Sequence, residues 1–275
     1  MNENEKEMAE FARRLIETAG AILRSERQHT QIVIMEKTSH MDIVTQQDGW
    51  IEDYISSAIL EKYPEHAVLA EECHHAGASD NSDYTWVIDP IDGTINFCRF
   101  ARDYAISLAL YYGKRPVFGL VYDVADDRMY SAGTGSIPAM NGILLQNPTC
   151  GVCTLRQAVI GMSFRTMKEL GRMGTDVMGL LSEAHAHRYL GCASLELCRV
   201  ASGEYDLFIS SNVHTWDIAA ARILIEQLGG FLTVCEKGRE VSYAGKLFVA
   251  AYRSPELWKE VFQLLPQRVQ NAFGY

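Results

Sequence analysis

Two aspartates, Asp89 and Asp92, mark the part of the sequence with the clearest potential for chemistry. They follow an apolar run in the segment WVIDPIDGTINF at residues 86–97. The run predicts a short strand that carries Asp89 to its end, where Pro90 breaks the strand and turns the chain. Two carboxylates in this position can bind a cation, although a turn with two solvated aspartates explains the same residues.

The backbone beside these aspartates adds further donors. Gly93 has no side chain, so a ligand can approach the main chain closely at this point. The carbonyl oxygen of Ile91 would then lie near the two carboxylates, and a set of hard oxygen donors prefers Mg²⁺. If Gly93 and Thr94 begin a helical turn, their N–H groups form a site for a phosphate oxygen.

Two acids elsewhere in the chain follow the same pattern. Glu71 stands with Glu72 at the end of a short apolar run, and Asp217 directly precedes a strongly apolar helical stretch. Taken singly, a surface Glu pair is usually solvated, and an Asp in the first turn of a helix usually serves the helix dipole. In combination with Asp89 and Asp92, they predict a cluster of carboxylates that needs cations to offset its repulsion.

Asp48 has two interpretations that do not exclude each other. Thr45 and Asp48 have the spacing of a capping box, which predicts a helix that begins near Asp48 and ends before Pro64. The same carboxylate can also orient a neighbouring hydroxyl group in an active site. The sequence leaves both roles open.

The composition restricts the partners of the protein. The chain has 275 residues, 48% of them hydrophobic, and a formal net charge of −10. Negative charge opposes binding to nucleic acid or to an anionic membrane surface, so we expect neither partner. The first residues are acidic and polar, unlike a signal peptide, and no run approaches the roughly 18 apolar residues of a membrane helix. We therefore expect a cytoplasmic protein.

The cysteines and histidines do not indicate a disulfide framework or a metal site. Seven cysteines, an odd number, favour a reducing compartment over a disulfide framework. Cys150 and Cys153 form a C-x-x-C pair without a second pair or a histidine at zinc spacing, so we assign them no function. We interpret five histidines without metal-ligand spacing as surface or loop residues: His74, His75, His185, His187 and His214.

Hydrophobic periodicity predicts alternating helices and strands. The predicted helices are residues 5–26, about 48–64, 167–186, 194–202, 218–228 and a last one from about 255. The predicted strands are residues 31–35, 68–71, 86–88, 104–111, 117–122, 128–132, 158–162, 205–209, 231–234 and 247–251. The Pro/Gly-rich segment near residue 147 predicts a boundary between an N-terminal subdomain, 1–146, and a C-terminal subdomain, 147–275.

Two long motifs resemble the signatures of the inositol monophosphatase family. WVIDPIDGTINF at residues 86–97 is similar to the first signature, and WDIAAARILIEQLGG at 216–230 is similar to the second. The resemblance covers nearly the whole chain. It implies an α/β sandwich of layers in the order αβαβα, with an antiparallel sheet and paired helices in the first half and a mixed sheet with helices in the second. It also implies a homodimer.

The same resemblance implies a set of metal ligands. One Mg²⁺ would be held by Glu71, Asp89 and the Ile91 carbonyl. A second would be held by Asp89, Asp92 and Asp217, with Asp89 shared between the ions. Similar enzymes take a third, weaker Mg²⁺ near Glu71. We expect the metal to order the loop at residues 73–83 and to raise the melting temperature.

The implied reaction is hydrolysis of a small phosphate monoester by a metal-activated water. Thr94, oriented by Asp48, would position and deprotonate the water, and Glu71 is included with them as catalytic. The residues expected to contact the substrate are Gly93 and Thr94 through their amides, Ala193, Ser194, Ser210 and Asp217. Ser210 stands where animal members carry a Glu that binds ring hydroxyls, which predicts looser discrimination, although a polar strand end explains it equally well.

Several alternatives remain for the substrate and the class. Inositol monophosphate is the first candidate, followed by NADP, fructose 1,6-bisphosphate and 3′-phosphoadenosine nucleotides, and lithium inhibition is expected. A haloacid-dehalogenase-type phosphatase would need a single residue between its two aspartates, whereas two residues lie between Asp89 and Asp92. A catalytically silent metal-binding regulator is the alternative from a different class.

Overall fold

The computed structural model describes residues 1–29, 32–39, 42–72, 82–146, 154–235 and 246–273. The helices are α1 (Glu3–His29), α2 (Gln46–Lys62), α3 (Thr94–Phe100), α4 (Phe164–Arg172), α5 (Val177–Glu183), α6 (Ala193–Ser202), α7 (Thr215–Gln227), α8 (Pro255–Gln263) and α9 (Gln267–Ala272). The strands are β1 (Ile34–Ser39), β2 (Asp42–Thr45), β3 (Ala67–Ala70), β4 (Tyr84–Asp92), β5 (Ala105–Tyr112), β6 (Arg115–Asp123), β7 (Arg128–Gly133), β8 (Ala139–Met140), β9 (Ile143–Leu144), β10 (Val159–Met162), β11 (Ala186–Arg188), β12 (Leu207–Val213), β13 (Phe231–Val234) and β14 (Leu247–Tyr252).

The first large sheet has seven strands in the order β3-β4-β5-β6-β7-β8-β9. Its neighbours are antiparallel, except that β3 runs parallel to β4. Along β5, Leu108 and Leu110 face one side of the sheet and Ala109 faces the other, because successive side chains of a strand alternate. This sheet is buried on both faces, which explains the nearly continuous apolar runs of β4 and β5.

The second large sheet has five strands in the order β11-β10-β12-β14-β13. Strand β10 pairs in parallel with both β11 and β12, whereas β14 pairs antiparallel with β12 and β13. The predicted mixed sheet is therefore confirmed.

Three apolar cores separate the layers. Helices α1 and α2 cover the outer face of the first sheet, α6 and α7 fill the space between the two sheets, and α4, α5, α8 and α9 cover the outer face of the second sheet. The predicted αβαβα layering is confirmed. It follows from each sheet having two apolar faces that must both be covered.

The middle layer lies unusually close to the first sheet at one point. A Cβ atom added to Gly119 of β6 would meet the backbone oxygen of Ala220 in α7 at 2.5 Å. Only glycine leaves room for this approach of helix backbone to strand backbone. The contact fixes the depth at which α7, and with it Asp217, sits against the first sheet.

Four predicted elements differ from the structure. The strand predicted for residues 31–35 is β1 at Ile34–Ser39, and residues 32–33 lie outside it. Strand β4 does not end at Pro90 but continues to Asp92, because a bulge between Asp89 and Asp92 absorbs the missing N–H of the proline. The single helix predicted for 167–186 is two helices, α4 and α5, because Gly174 adopts a φ of 100° and Asp176 caps a new helix. The strand predicted to end at residue 209 extends to Val213.

The capping box at the start of α2 is confirmed, with Thr45 as the N-cap. The predicted subdomain boundary stays a prediction, since residues 147–153, including Cys150 and Cys153, lie outside the described residues. The same is true of residues 73–81, which make up most of the loop expected to be ordered by Mg²⁺ and contain His74 and His75. Among the helices of the described chain, none has the length and apolar character needed to cross a membrane.

Candidate active site

The bulge in β4 places the first two predicted acids. Trp86 and Ile88 are fully buried in the sheet, and Asp89, directly after them, is only 1% exposed. The N–H of Ile91 donates to Asp89 Oδ1 at 3.1 Å, which holds the carboxylate against the bulge. Both acids thus lie at the end of a strand that is buried along most of its length.

Gly93 makes the turn from β4 into α3. Its φ is +90°, in the left-handed region that favours glycine. An added Cβ would also lie 3.1 Å from the backbone oxygen of Asp103 and 3.2 Å from Cβ of Cys192. Any other residue at this position would be strained and crowded. Thr94 is consequently fixed at the first position of α3.

A cavity of about 230 Å³ unites most of the predicted site. Its walls include nine of the predicted residues, drawn from both sheets: Glu71, Asp89, Ile91, Asp92, Gly93, Thr94, Ala193, Ser210 and Asp217. The other two, Asp48 and Ser194, are buried behind the wall, 1% and 0% exposed. Both contact cavity residues through hydrogen bonds.

Asp48 makes both of the contacts that the sequence left open. Thr94 Oγ1 lies 3.1 Å from Asp48 Oδ1 and 3.2 Å from the carbonyl oxygen of Ile91, so its single proton can be donated to either. The second oxygen of Asp48 accepts the backbone N–H of Thr45 at 2.8 Å. Helix capping and hydroxyl orientation therefore use different atoms of one carboxylate.

Asp92 lies against the N-terminus of α6. It accepts the backbone N–H groups of Ala193, at 3.2 Å, and Ser194, at 2.5 Å, and the thiol of Cys192 at 3.2 Å. These donors stabilise the carboxylate form, while burial raises the pKa of Asp92 above its usual value. The amides of Ala193 and Ser194 therefore face Asp92, and their substrate contact stays a prediction.

Asp217 begins the helix that fills the middle layer. Its Oδ2 accepts the N–H of His214 at 2.8 Å, which caps the first turn of α7. Burial raises the pKa of Asp217 well above its usual range, and the nearby carboxylates of Asp92 and Glu71 raise it further. Its side chain is also hydrogen-bonded to that of Asp89.

Asp89 shows the same effect from the other side. Burial raises the pKa of Asp89 well above the ordinary value. The negative charges of Glu71, Asp92 and Asp217 raise it further. A hydrogen bond between two carboxyl groups requires one of them to hold a proton. Without a cation, this cluster is thus stabilised by protonation.

The chemistry of the donor set fits a divalent metal ion. Several carboxylates and one backbone carbonyl line one cavity, and they are all hard oxygen donors of the kind that Mg²⁺ prefers. Among the side chains of the described chain, no group of three or more His, Cys, Asp or Glu already surrounds a single point closely enough to hold an ion. Binding would therefore require these carboxylates to turn toward a shared centre.

The opposite wall of the cavity comes from the second sheet. Phe208, Ser210 and Asn212 share one face of β12, and all three line the cavity. Ser210 is only 5% exposed, and its hydroxyl oxygen accepts the N–H of Asn212 at 3.2 Å. It lies inside the strand, not at its end.

Sequence reasoning missed some residues of this wall. Ser163, Tyr189, Asn212 and Lys246 also line the cavity. Asn212 follows from the alternation of a longer β12, because it lies two residues after Ser210. The other three lie next to strand ends whose pairing the sequence does not reveal.

His214 lies in the one-residue connection between β12 and α7, as the prediction of a surface or loop residue has it, whereas that prediction was wrong for His187. His214 lines the cavity and stacks on Trp216, with ring centroids 4.7 Å apart and planes within 4°. His187 lies in β11, where its Nε2 is 2.8 Å from the carbonyl oxygen of Met162. These contacts depend on the tertiary structure and cannot be inferred from the spacing of the histidines in the sequence.

Two buried sheets, three helical layers and an acidic cavity lined from both sheets place this chain in a class of phosphoric monoester hydrolases. It belongs to the inositol monophosphatase family, whose model matches residues 4–270.

Similar proteins come from both sequence and structure. The inositol-1-monophosphatase of Bacillus subtilis (strain 168) is 31% identical over 261 residues, which span 94% of this chain and 97% of the relative. A structure described as inositol monophosphate bound SaIMPase-II is 26% identical with a TM-score of 0.76, covering 92% of this chain and 91% of that chain. A structure described as IMPase/NADP phosphatase complexed with Mg²⁺ and phosphate is 24% identical with a TM-score of 0.81, covering 95% and 96%.

Proposed function

We propose that this protein catalyses the Mg²⁺-dependent hydrolysis of a small phosphate monoester, with inositol monophosphate as the first candidate. One observation carries the proposal. Four acids from three separate segments of the sequence line a single cavity together with Thr94: Glu71, Asp89, Asp92 and Asp217. Structural packing alone gives no reason to gather buried and half-buried acids whose charges repel one another.

The proposed metal ligands are those of the resemblance. Glu71, Asp89 and the Ile91 carbonyl would hold one Mg²⁺, and Asp89, Asp92 and Asp217 a second. When bound, Mg²⁺ supplies positive charge that stabilises the phosphoryl oxygens and makes water a stronger nucleophile at neutral pH. The number of ions, two with a third near Glu71, is part of the proposal.

Side chains of α2 and α3 then direct the attacking water. Asp48 Oδ1 accepts the Thr94 hydroxyl proton, which leaves a lone pair of Oγ1 free to accept a hydrogen bond from the water. As the water attacks, its proton moves to Oγ1 while the Thr94 proton moves to Asp48. Glu71 would assist as a further acceptor, and the N–H groups of Gly93 and Thr94 would hold the phosphate.

The cavity wall from the second sheet favours a substrate whose leaving group is a polyol. Ser210 and Asn212 offer neutral hydrogen-bonding groups to the hydroxyls of a sugar-like ring, and a similar structure is described as bound to inositol monophosphate. Ala193, Ser194 and Asp217 complete the proposed substrate contacts.

A second candidate, NADP phosphatase activity, is favoured by one residue. Lys246 lines the cavity and supplies an ammonium charge that suits a leaving group with a phosphate of its own. One of the similar structures is described as an IMPase/NADP phosphatase. Fructose 1,6-bisphosphate satisfies the same requirement. A homodimeric state, a cytoplasmic location and inhibition by Li⁺ belong to the proposal on the strength of the resemblance.

The test is phosphate release from inositol 1-phosphate, NADP, fructose 1,6-bisphosphate and adenosine 3′,5′-bisphosphate, with and without Mg²⁺. We expect release that requires Mg²⁺ and that is fastest with inositol 1-phosphate. Preference for the other three substrates would favour the candidate that rests on Lys246. Mg²⁺ binding by calorimetry without any phosphate release would favour the silent regulator.

A further inference from the structure

Tyr189 occupies an unexplained position in the cavity wall. It follows the last residue of β11, lines the cavity, and is nevertheless 58% exposed. Within the described part of the chain, its ring stacks on no other ring and its hydroxyl has no hydrogen-bond partner. A tyrosine in a cavity usually packs its ring and pairs its hydroxyl, so this side chain is available to a ligand on both counts.

The surroundings of Tyr189 are acidic. Burial raises the pKa of Tyr189, and the carboxylates of Glu196 and Asp92 raise it further. Glu196 and Asp92 line the same cavity as Tyr189. Tyr189 therefore belongs to the part of the wall near the start of α6, and because the residue is more than half exposed, its side chain stays accessible.

The backbone next to Tyr189 is held from two sides. The N–H of Leu190 donates to Glu196 Oε1 at 3.1 Å, and its carbonyl accepts Nδ2 of Asn96 at 2.9 Å. Glu196 is buried, and Gly191 follows with a φ of +84°. The backbone that carries Tyr189 is therefore in place before a ligand arrives, so that only the side-chain rotamer has to be ordered on contact.

The topology of the second sheet places Tyr189 where ligands usually bind. The chain leaves β10 through α4 and α5 on one face of the sheet to reach β11, and returns through α6 on the other face to reach β12. The carboxyl ends of β10, β11 and β12 therefore flank a topological switch point, the common crevice for ligands in α/β sheets. Ser163, Tyr189 and Asn212 line the cavity from these three ends.

We propose that Tyr189 determines leaving-group specificity by stacking its ring on a ring of the substrate, while the face of β12 binds the hydroxyls. The inference rests on the proposed phosphatase function and adds to it a preference for monoesters with a cyclic leaving group over acyclic ones. A cyclic polyol and the ribose or base of a nucleotide share this chemistry, because both present a flat C–H or π face to an aromatic ring. An acyclic leaving group has no such face.

The test compares three substrates in Tyr189→Ala and Tyr189→Phe: inositol 1-phosphate, adenosine 2′-monophosphate and acyclic 2-glycerol phosphate. In the alanine variant we expect KM for the ring substrates to rise about five- to tenfold, as for the loss of one aromatic contact. We expect kcat to stay within about twofold and 2-glycerol phosphate to be unaffected. The phenylalanine variant keeps the ring and should stay near wild type. Whichever of the two ring substrates shows the larger rise in KM, inositol 1-phosphate or adenosine 2′-monophosphate, identifies the kind of ring that stacks on Tyr189.

The matched control is Tyr54→Ala, which removes a tyrosine that is 37% exposed on α2 and outside the cavity wall. Competitive inhibition by inorganic phosphate should be unchanged in every variant, because phosphate binds at the acidic end. An equal loss with all three substrates, or no loss with any, would overturn the assignment of Tyr189 and leave the phosphatase function standing. A wild-type protein that hydrolyses none of the three would contradict the proposed function itself.

Discussion

The two walls of the cavity are built in opposite ways. The wall from the first sheet comes mainly from one continuous segment, β4 to α3, in which Asp89 is buried, Asp92 is half-buried and both accept hydrogen bonds. The wall from the second sheet is assembled from the ends of β10, β11 and β12, and it includes the half-exposed Tyr189. The difference suggests that the first wall carries the chemistry and the second the choice of substrate, so that variants of the two should fail differently.

The largest loss of activity is expected for Asp217→Asn, which tests whether the acids carry the chemistry for every substrate. Asn keeps an acceptor for the N–H of His214, so α7 should still form, but it removes a charge from the proposed second metal site. Loss of a bound metal costs several kcal/mol of charge stabilisation, so we expect kcat/KM to fall about a thousandfold for every substrate. Steady-state phosphate release measures this.

The matched control is Asp206→Asn, since Asp206 also accepts a backbone N–H, that of Val159 at 2.9 Å, but does not line the cavity. It should stay close to wild type. An Asp217→Asn enzyme that retains more than a tenth of the rate would contradict the assignment.

Thr94→Ala tests the proton path on the first wall. We expect kcat to fall about a hundredfold, a typical loss for a positioned proton acceptor, with KM little changed. Thr94→Ser keeps the hydroxyl that lies 3.1 Å from Asp48 Oδ1 and should recover most of the rate. Equal activity of the alanine and serine variants in single-turnover assays would rule out a role for the hydroxyl.

Magnesium should stabilise the first wall more than any substrate stabilises the second. At a Mg²⁺ concentration a hundred times its Kd, linkage gives about 2.7 kcal/mol, or a rise in Tm of about 5 °C for a chain of this size. The raised pKa values of Asp89 and Asp217 mean that protons compete with the metal, so the shift should shrink as pH falls. Differential scanning calorimetry measures the change in Tm on adding Mg²⁺. The controls are NaCl of equal ionic strength and the Asp92→Asn variant, in which the shift should be smaller. An unchanged Tm in wild type would count against metal binding.

The smallest expected effect concerns Glu196, which supports the second wall. Burial raises its pKa from the ordinary value of 4.5 to about 8. The folded protein therefore holds a proton that the unfolded chain releases, and this stabilisation is present below pH 4.5 and is lost as pH rises to about 8. Glu196→Gln should flatten the stability profile across that window in urea unfolding experiments, with little change in activity at pH 7. A profile as steep as wild type would show that another group is responsible.

The sequence predicted the first wall better than the second, for a physical reason. Asp89, Ile91, Asp92, Gly93 and Thr94 are neighbours in the chain, so their meeting at one cavity needs only local geometry. Even there, the continuation of β4 through Pro90 was missed, because a bulge is stabilised by the neighbouring strand rather than by the residues themselves.

The second wall depends on which strand ends are adjacent. Tyr189 and Ser163 come together only because β11 and β10 are parallel neighbours. Ser210 was identified, but Asn212 was not, since the predicted strand ended at residue 209. The short strands β8, β9 and β11 were also missed, because two or three residues carry no usable periodicity.

The close approach at Gly119 has a consequence for how mutations in this protein are interpreted. Gly119 never meets a substrate, yet any side chain there would push α7 outward and carry one of the four acids away from the other three. A variant with such a substitution would be classed as a loss of catalysis, although every acid was still encoded. Genetic surveys that score only the ligand positions would overlook it.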